Sequence, residues 1–412
     1  MKRIDRKRLE ALQKVLAMSQ ALAKDIEIAS EQRVETIKSA KPTEAGKLEI
    51  AYSGKTELRA LFNHLDGLAY IMRFVAVEYA EELRVEIPDQ ERAALQELRA
   101  TKDGKPPQPR LNPLEHLELA LHTFPALFGI ELALDLSTEH AKAFLALVDI
   151  RNEMARPETL EQLSGNDIQS FWIPGSSWYL AQVNHLLSLC AQQIPDSELT
   201  FPEPELPDYQ HTGRTPADST GDDKPVKSLR TPEYFKKAFE LLVGDTSRSM
   251  GVSTKMAGKD DLQATYGQFG LRNLMRTVLS EVDTTIVIAA LVLSASPEHS
   301  ELAMTDQDVE NLRGRGDLDQ KLLEVTNLWL AELGEQKEKT AGGKKWDLFR
   351  QALKVRDRLT YPKAPKELRV TLDEASIILG AQDWLREHTV LLTVDSEKWP
   401  KAAAEPATEP VE

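Results

Sequence analysis

The sequence predicts an all-α protein. Segments with clear hydrophobic periodicity repeat at the helical spacing, and no stretch sustains the apolar–polar alternation of a half-buried strand. The densest run of prolines separates periodic segments instead of interrupting them. Residues 5–38 open the chain with alternating charged and apolar positions and contain no glycine or proline. A second long amphipathic run covers 55–86 and is stopped by Pro88. Helices over 113–134, 137–155 and 175–193 follow, the middle one with Ser137 as N-cap, Asp135 just before it and His140 in its first turn.

Residues 196–230 change character. Five prolines (202, 204, 207, 216 and 225) stand among Asp, Glu, Ser, Thr and Gly, the composition of a linker or long surface loop. Thr231-Pro232-Glu233 then supplies an N-cap, a proline at the first helical position and a first-turn acid. Helical pattern continues through 267–294, 305–334, 344–360 and 373–391, and the Ala/Pro/Glu-rich tail reads as disordered. The expected organisation is two helical bundles of four to five helices, 1–195 and 231–396, joined by the linker 196–230 and followed by a tail at 397–412.

A chain of 412 residues suggests two domains, and 41% hydrophobic with 28% charged residues is ordinary for a globular protein. The net charge of −15 disfavours broad electrostatic binding to nucleic acid or an anionic membrane, though not a local basic patch. Cys190 is the sole cysteine, which excludes an intramolecular disulfide and a cysteine-based zinc site; its apolar surroundings, LLSLCAQQ, mark a core thiol. The basic start MKRIDRKRLEALQK lacks the apolar core of a signal peptide and reads as a solvated helix end, and TTIVIAALVLSA (284–295) is too short to span a bilayer. A cytoplasmic protein without membrane partner or cofactor is expected.

The two halves resemble each other. Tyr52-Ser-Gly-Lys-Thr-Glu-Leu-Arg59 and Tyr266-Gly-Gln-Phe-Gly-Leu-Arg272 each begin a long helix. Arg151 follows Arg59 by 92 positions and Arg356 follows Arg272 by 84, and each opens a related segment: IRNEMARP (150–157) and VRDRLTYP (355–362). A final helix with a tryptophan, Trp178 or Trp384, comes after each. Matching anchors in matching order suggest a duplicated bundle.

In both segments the arginine continues an apolar stripe: Ala141, Phe144, Val148, Arg151 in one and Trp346, Phe349, Leu353, Arg356 in the other. Each therefore faces inward near a helix end, where a guanidinium needs an acid, terminal carbonyls or a bound anion. Glu281 is the candidate acid of the second half; the matching position in the first is Leu68. Five residues on, an ideal helix would point a side chain about 140° away. Arg156 and Tyr361 both precede proline, which drives them out of α geometry into an extended form, so that their side chains can curl back toward the arginine.

An arginine, four residues and a proline-flanked position at the end of a helix in an all-α bundle resembles the HEPN superfamily, whose motif is R-x4-H with a polar residue after the arginine. Arg151, Asn152 and Pro157 match in the first half; Arg356 and Pro362 match in the second, with Asp357 at the polar position. The resemblance implies metal-independent ribonucleases of bacterial toxin–antitoxin, antiphage and CRISPR-linked systems, in which arginine and histidine from two bundles meet at a dimer interface. Here the histidine is replaced by Arg156 and Tyr361. Cleavage by 2′-hydroxyl attack needs a group that exchanges a proton near neutral pH, which histidine does and arginine and unperturbed tyrosine do not. Arg151 and Arg356 retain the capacity to hold a phosphate.

The preferred reading is thus a catalytically degenerate HEPN-like interaction or regulatory subunit that binds RNA, another anion or a protein partner. The motif residues Arg151, Asn152, Arg156, Arg356, Asp357 and Tyr361, together with Glu281, would form its site, as a homo-oligomer or an internal pseudo-dimer. One alternative is an active endoribonuclease using Arg356 with Tyr361 or Arg151 with Arg156; another is a structural helical scaffold. Other features read as structural. His116 and His122 lie six apart on one helix, and His64, His140 and His185 are scattered, so no metal site is expected. The glycines of Gly251–Asp260 do not have P-loop spacing and no strand precedes them, which suggests a flexible loop. The aromatic FWIPGSSWY (171–179) reads as a hydrophobic staple before the last helix of the first half.

Overall fold

The computed structural model describes residues 2–89, 91–93, 113–165, 167–195, 197–199, 201, 206, 228–229, 232–259, 264–294, 305–313, 318–332 and 342–391. Among these residues the fold is all-α, without a strand; a single isolated bridge joins Thr159 to Ser228.

The chain opens with two long helices, α1 (Arg3–Ser39) and α2 (Glu44–Leu83). Their side-chain pairs, Lys14 with Glu78 and Arg33 with Glu57, run in opposite order along the two sequences, so the helices form an antiparallel hairpin. Thr43 caps α2 by accepting from the Gly46 N–H. The helix ends at Arg84, whose left-handed backbone (φ 58°) returns its N–H to Ala80 and Glu81, before Pro88 is reached. Tyr52 consequently lies two turns inside α2 and not at its start, a correction to the sequence reading.

Next come α3 (Pro113–Ala126), α4 (Glu139–Ala155), the short α5 (Leu160–Ser164) and α6 (Ile168–Gln192). Helix α3 is shorter than the periodicity suggests, because the chain turns through Gly129 at positive φ. Thr138, not Ser137, caps α4 by accepting from the Ala141 N–H; Ser137 is engaged by Asp135 instead. Helix α6 begins seven residues before the expected start, so FWIPGSSWY lies within it. Phe171, Trp172, Trp178 and Tyr179 are buried there, and Pro174 is accommodated two turns from the N-terminus. Gly175 allows this packing: a Cβ there would stand 2.9 Å from the Phe144 backbone nitrogen of α4.

After residue 231 the order is α7 (Pro232–Lys259), α8 (Thr265–Ser294), α9 (Asp306–Arg313), α10 (Leu318–Glu332), α11 (Lys344–Thr360), a 3₁₀ turn (Pro365–Leu368) and α12 (Leu372–Leu391). The start at Pro232 agrees with the sequence. The anticipated 251–260 loop does not form: α7 runs on to Lys259, burying Ser249, Ser253 and Met256 on one face and leaving Gly251 in open space. Helices α7 and α8 form a second antiparallel hairpin, since Thr246 meets Glu281 and Ser253 meets Gly270. By length and apolar composition the whole of α8 could cross a membrane, unlike the shorter run judged from sequence. In this fold 78% of its most apolar window is buried against protein, which marks a central core helix.

The apolar residues form two clusters. One draws on α1–α4 and α6, joined by Met256 of α7 and Phe269 of α8, and the other on α7–α12. Each receives a leucine from the opposite side: Leu163 of α5 joins the second cluster, and Leu368 of the 3₁₀ turn joins the first. The end of the predicted linker is also engaged, with the Leu229 N–H donating to Glu158 and its side chain buried. The rest of the linker lies almost wholly outside the described residues, as do the 397–412 tail and the Trp384 side chain.

Candidate functional site

Helices α2, α4, α8 and α11 converge on a cavity of about 250 Å³. Both motif arginines line it: Arg151 from the last turns of α4 and Arg356 from those of α11. Their half-buried guanidiniums are held in the same way, each by the polar residue that follows it. Arg151 Nη1 donates to Asn152 Oδ1 at 3.1 Å, and Arg356 donates through Nε and Nη2 to Asp357 Oδ1 at 3.0 and 2.8 Å. Arg151 also lies over the Phe62 ring, 5.9 Å from its centroid. Glu281 lines the cavity as well but accepts from Thr246, and Arg356 is left to Asp357.

The residues in the histidine's place behave differently. The helices do stop there, but Arg156 (φ −137°, ψ 60°) and Tyr361 (φ −121°, ψ 58°) are not extended, and neither lines the cavity. Arg156 is exposed. The Tyr361 ring packs edge-on against Tyr70 of α2 at 5.5 Å, while Pro362 lies close beside Gly67. The extended backbone expected from sequence is therefore corrected. The proline break of the second motif docks its following segment onto the first hairpin, with the Tyr361 ring on Tyr70 and Pro362 beside Gly67.

Sequence reasoning missed most of the cavity's other charges. Lys55 and Arg59 come from α2, Asp245 from α7 and Arg276 from α8. Lys55 Nζ meets Asp245 at 2.8 Å with both side chains nearly inaccessible; burial pushes the ammonium's pKa down and the aspartate opposes it. Arg59 donates to the Thr277 hydroxyl at 3.4 Å, and Arg276 donates to Asp25 of α1 at 3.1 Å. Asp66 also faces the cavity. Burial raises its pKa, Arg151 draws it back, and His116 stands 4.0 Å behind it. The available signal was the repeat itself, since Arg59 and Arg272 were its anchors and Arg276 lies one turn beyond the second.

Among the described residues no group of three His, Cys, Asp or Glu is arranged to hold a metal ion. Cys190 is fully buried, which pushes its thiol up to about 12 and leaves it inert. The cavity can thus clamp an anion between guanidiniums from two hairpins, with hydroxyl and carboxylate groups beside them. No family model, curated protein or solved structure matches this chain.

Proposed function

We propose that the chain is a duplicated, catalytically degenerate HEPN-like protein whose two halves form an internal pseudo-dimer, and that it works as a binding subunit for a phosphate-bearing ligand. The observation that carries this reading is that Arg151 and Arg356 line one cavity. A composite phosphate site requires two motifs some 200 residues apart to share one cavity, and these two do. Duplication is further supported by the reciprocal packing. Each half pairs two long antiparallel helices, and the segment after each motif docks a leucine into the other half's core.

Binding is favoured over cleavage because neither Arg156 nor Tyr361 lines the cavity that holds the arginines, and neither side chain type exchanges a proton near neutral pH as histidine does. The family likeness implies a cytoplasmic role beside a protein partner in a bacterial defence or toxin–antitoxin system. The test is metal-free incubation of the purified chain with varied single-stranded RNAs, alongside equilibrium binding of phosphate-bearing probes. RNA should stay intact, and Arg151→Ala and Arg356→Ala should each weaken binding roughly tenfold, as expected for loss of one charge-assisted contact. Cleavage abolished by Arg356→Ala would establish the ribonuclease instead, and binding indifferent to both substitutions would leave only a scaffold.

A further inference from the structure

Asp66 stands apart from the other acids around the cavity. Asp245 of α7 accepts from Lys55 at 2.8 Å, and Glu281 of α8 accepts from Thr246. Asp283 of α8 is exposed and solvated. Two acids outside the lining are also engaged: Asp357 of α11 by Arg356, and Asp25 of α1 by Arg272 and Arg276. Asp66 lines the cavity from α2 with only 18% of its side chain exposed. Among the described residues none donates a hydrogen bond to it, and His116 Nδ1 of α3, at 4.0 Å, is out of reach. A carboxylate withdrawn from water without donors favours its protonated form, and only the Arg151 charge opposes this.

Arg151 of α4 is the guanidinium for which Asp66 serves as counter-charge. Its hydrogen-bond partner is the neutral Asn152 Oδ1, whereas Arg276 and Arg356 are bonded to carboxylates and Arg59 to the Thr277 hydroxyl. An anion arriving at Arg151 would therefore share an enclosed site with the Asp66 charge. Two like charges held together in such a site do not both persist, and one of them takes a proton. The neighbours of Asp66 cannot take it instead. Burial and the Arg73 charge keep His116 neutral, with its pKa lowered to about 3. Tyr179 of α6 is already a neutral phenol, held so by burial and by Asp66 itself. Lys55 keeps its charge against Asp245.

We infer that Asp66 is a ligand-binding residue of the anion site: it takes a proton from solvent as the anion reaches Arg151, and its carboxyl O–H then donates to an anion oxygen. This rests on the reading of the cavity as a phosphate site and adds its linkage to pH. Proton uptake on binding means that affinity falls as the pH rises, over the interval between the pKa of Asp66 in the free protein and its higher value in the complex.

Calorimetry of the full chain tests it, with dimethyl phosphate and a 12-nucleotide single-stranded RNA lacking terminal phosphates as probes. The phosphodiester charge of both is constant from pH 5 to 8, so a pH effect belongs to the protein. Titrations in two buffers of different ionisation enthalpy should show uptake of about one proton per site, with Kd rising roughly tenfold per pH unit where the dependence is steepest. Asp66→Asn, neutral at every pH and able to donate, should abolish the uptake, flatten the pH dependence and bind several-fold more tightly than the parent at pH 8. Its unliganded Tm serves as the folding control, and the parental proton count holds whether or not the variant folds. Binding without proton uptake and with constant affinity from pH 5 to 8 overturns the inference, as does uptake unchanged in a folded Asp66→Asn. If that binding still depends on Arg151 and Arg356, the phosphate-site reading stands alone; if neither probe binds, both fall.

Discussion

At the scale of the residue, the interior of the first half is organised by buried polar groups. His64 is fully enclosed, sharing a 2.8 Å hydrogen bond with the Tyr179 hydroxyl and a 3.3 Å contact with Ser19. Burial lowers its pKa to about 4, so it is neutral in the folded protein at neutral pH. In the unfolded chain it titrates near 6.5, so between these values the unfolded state binds more protons. Its contribution is therefore complete above about pH 6.5 and is lost as the pH falls toward 4. His116, lowered to about 3 by burial and the Arg73 charge, acts in the same direction. Urea unfolding at pH 7 and pH 4.5 should show a loss of stability, of which roughly 3 kcal/mol at most belongs to His64. His64→Gln should flatten that pH dependence. An unchanged slope would show that His64 does not stay neutral in the fold.

At the scale of the element, the segments after the two motifs hold the halves together. Arg358 ties the second by donating to the Arg369 carbonyl at 2.8 Å and to Glu374 at 2.7 Å, while Gln268 exchanges two hydrogen bonds with Val370. These contacts deliver Leu368 to the first core, as α5 delivers Leu163 to the second. Leu163→Ala and Leu368→Ala should each cost about 2–4 kcal/mol in denaturant unfolding, the range for emptying a well-packed leucine site. A cost below 1 kcal/mol would mean that these segments rest on the surface. The helices that carry the motifs were legible in sequence, because the stripe ending in Arg356 is amphipathic and Gly343 and Pro362 bracket it. The early start of α6 was not, because Pro174 and Gly175 imitate a boundary where close packing on α4 calls for a small residue. The inward arginines were legible as well. Their companions Arg59, Asp66 and Arg276 were not, because helical periodicity says which face is buried but not which distant helix meets it.

At the scale of the whole molecule, the contact between the two hairpins is more polar than either core. Arg272 and Arg276 cross it to Asp25, Lys55 to Asp245, and Asn273 to the Tyr52 hydroxyl at 3.1 Å, all with little solvent. Such pairs contribute modest net stability, because burial of each charge offsets the attraction, yet they penalise every other register of the two hairpins. The cavity's guanidiniums depend on that register. Asp245→Leu leaves the buried Lys55 ammonium without its carboxylate and should cost about 3–5 kcal/mol; Lys55→Met, which leaves Asp245 to Arg248 at 3.5 Å, should cost less, and the double replacement should recover most of the larger loss. A double-mutant cycle in urea separates the two contributions. If the double variant folds near parental stability yet binds phosphate-bearing probes several-fold more weakly, the pair serves alignment more than cohesion. If both single substitutions are nearly neutral, water reaches the pair and the halves are aligned by their exchanged leucines alone.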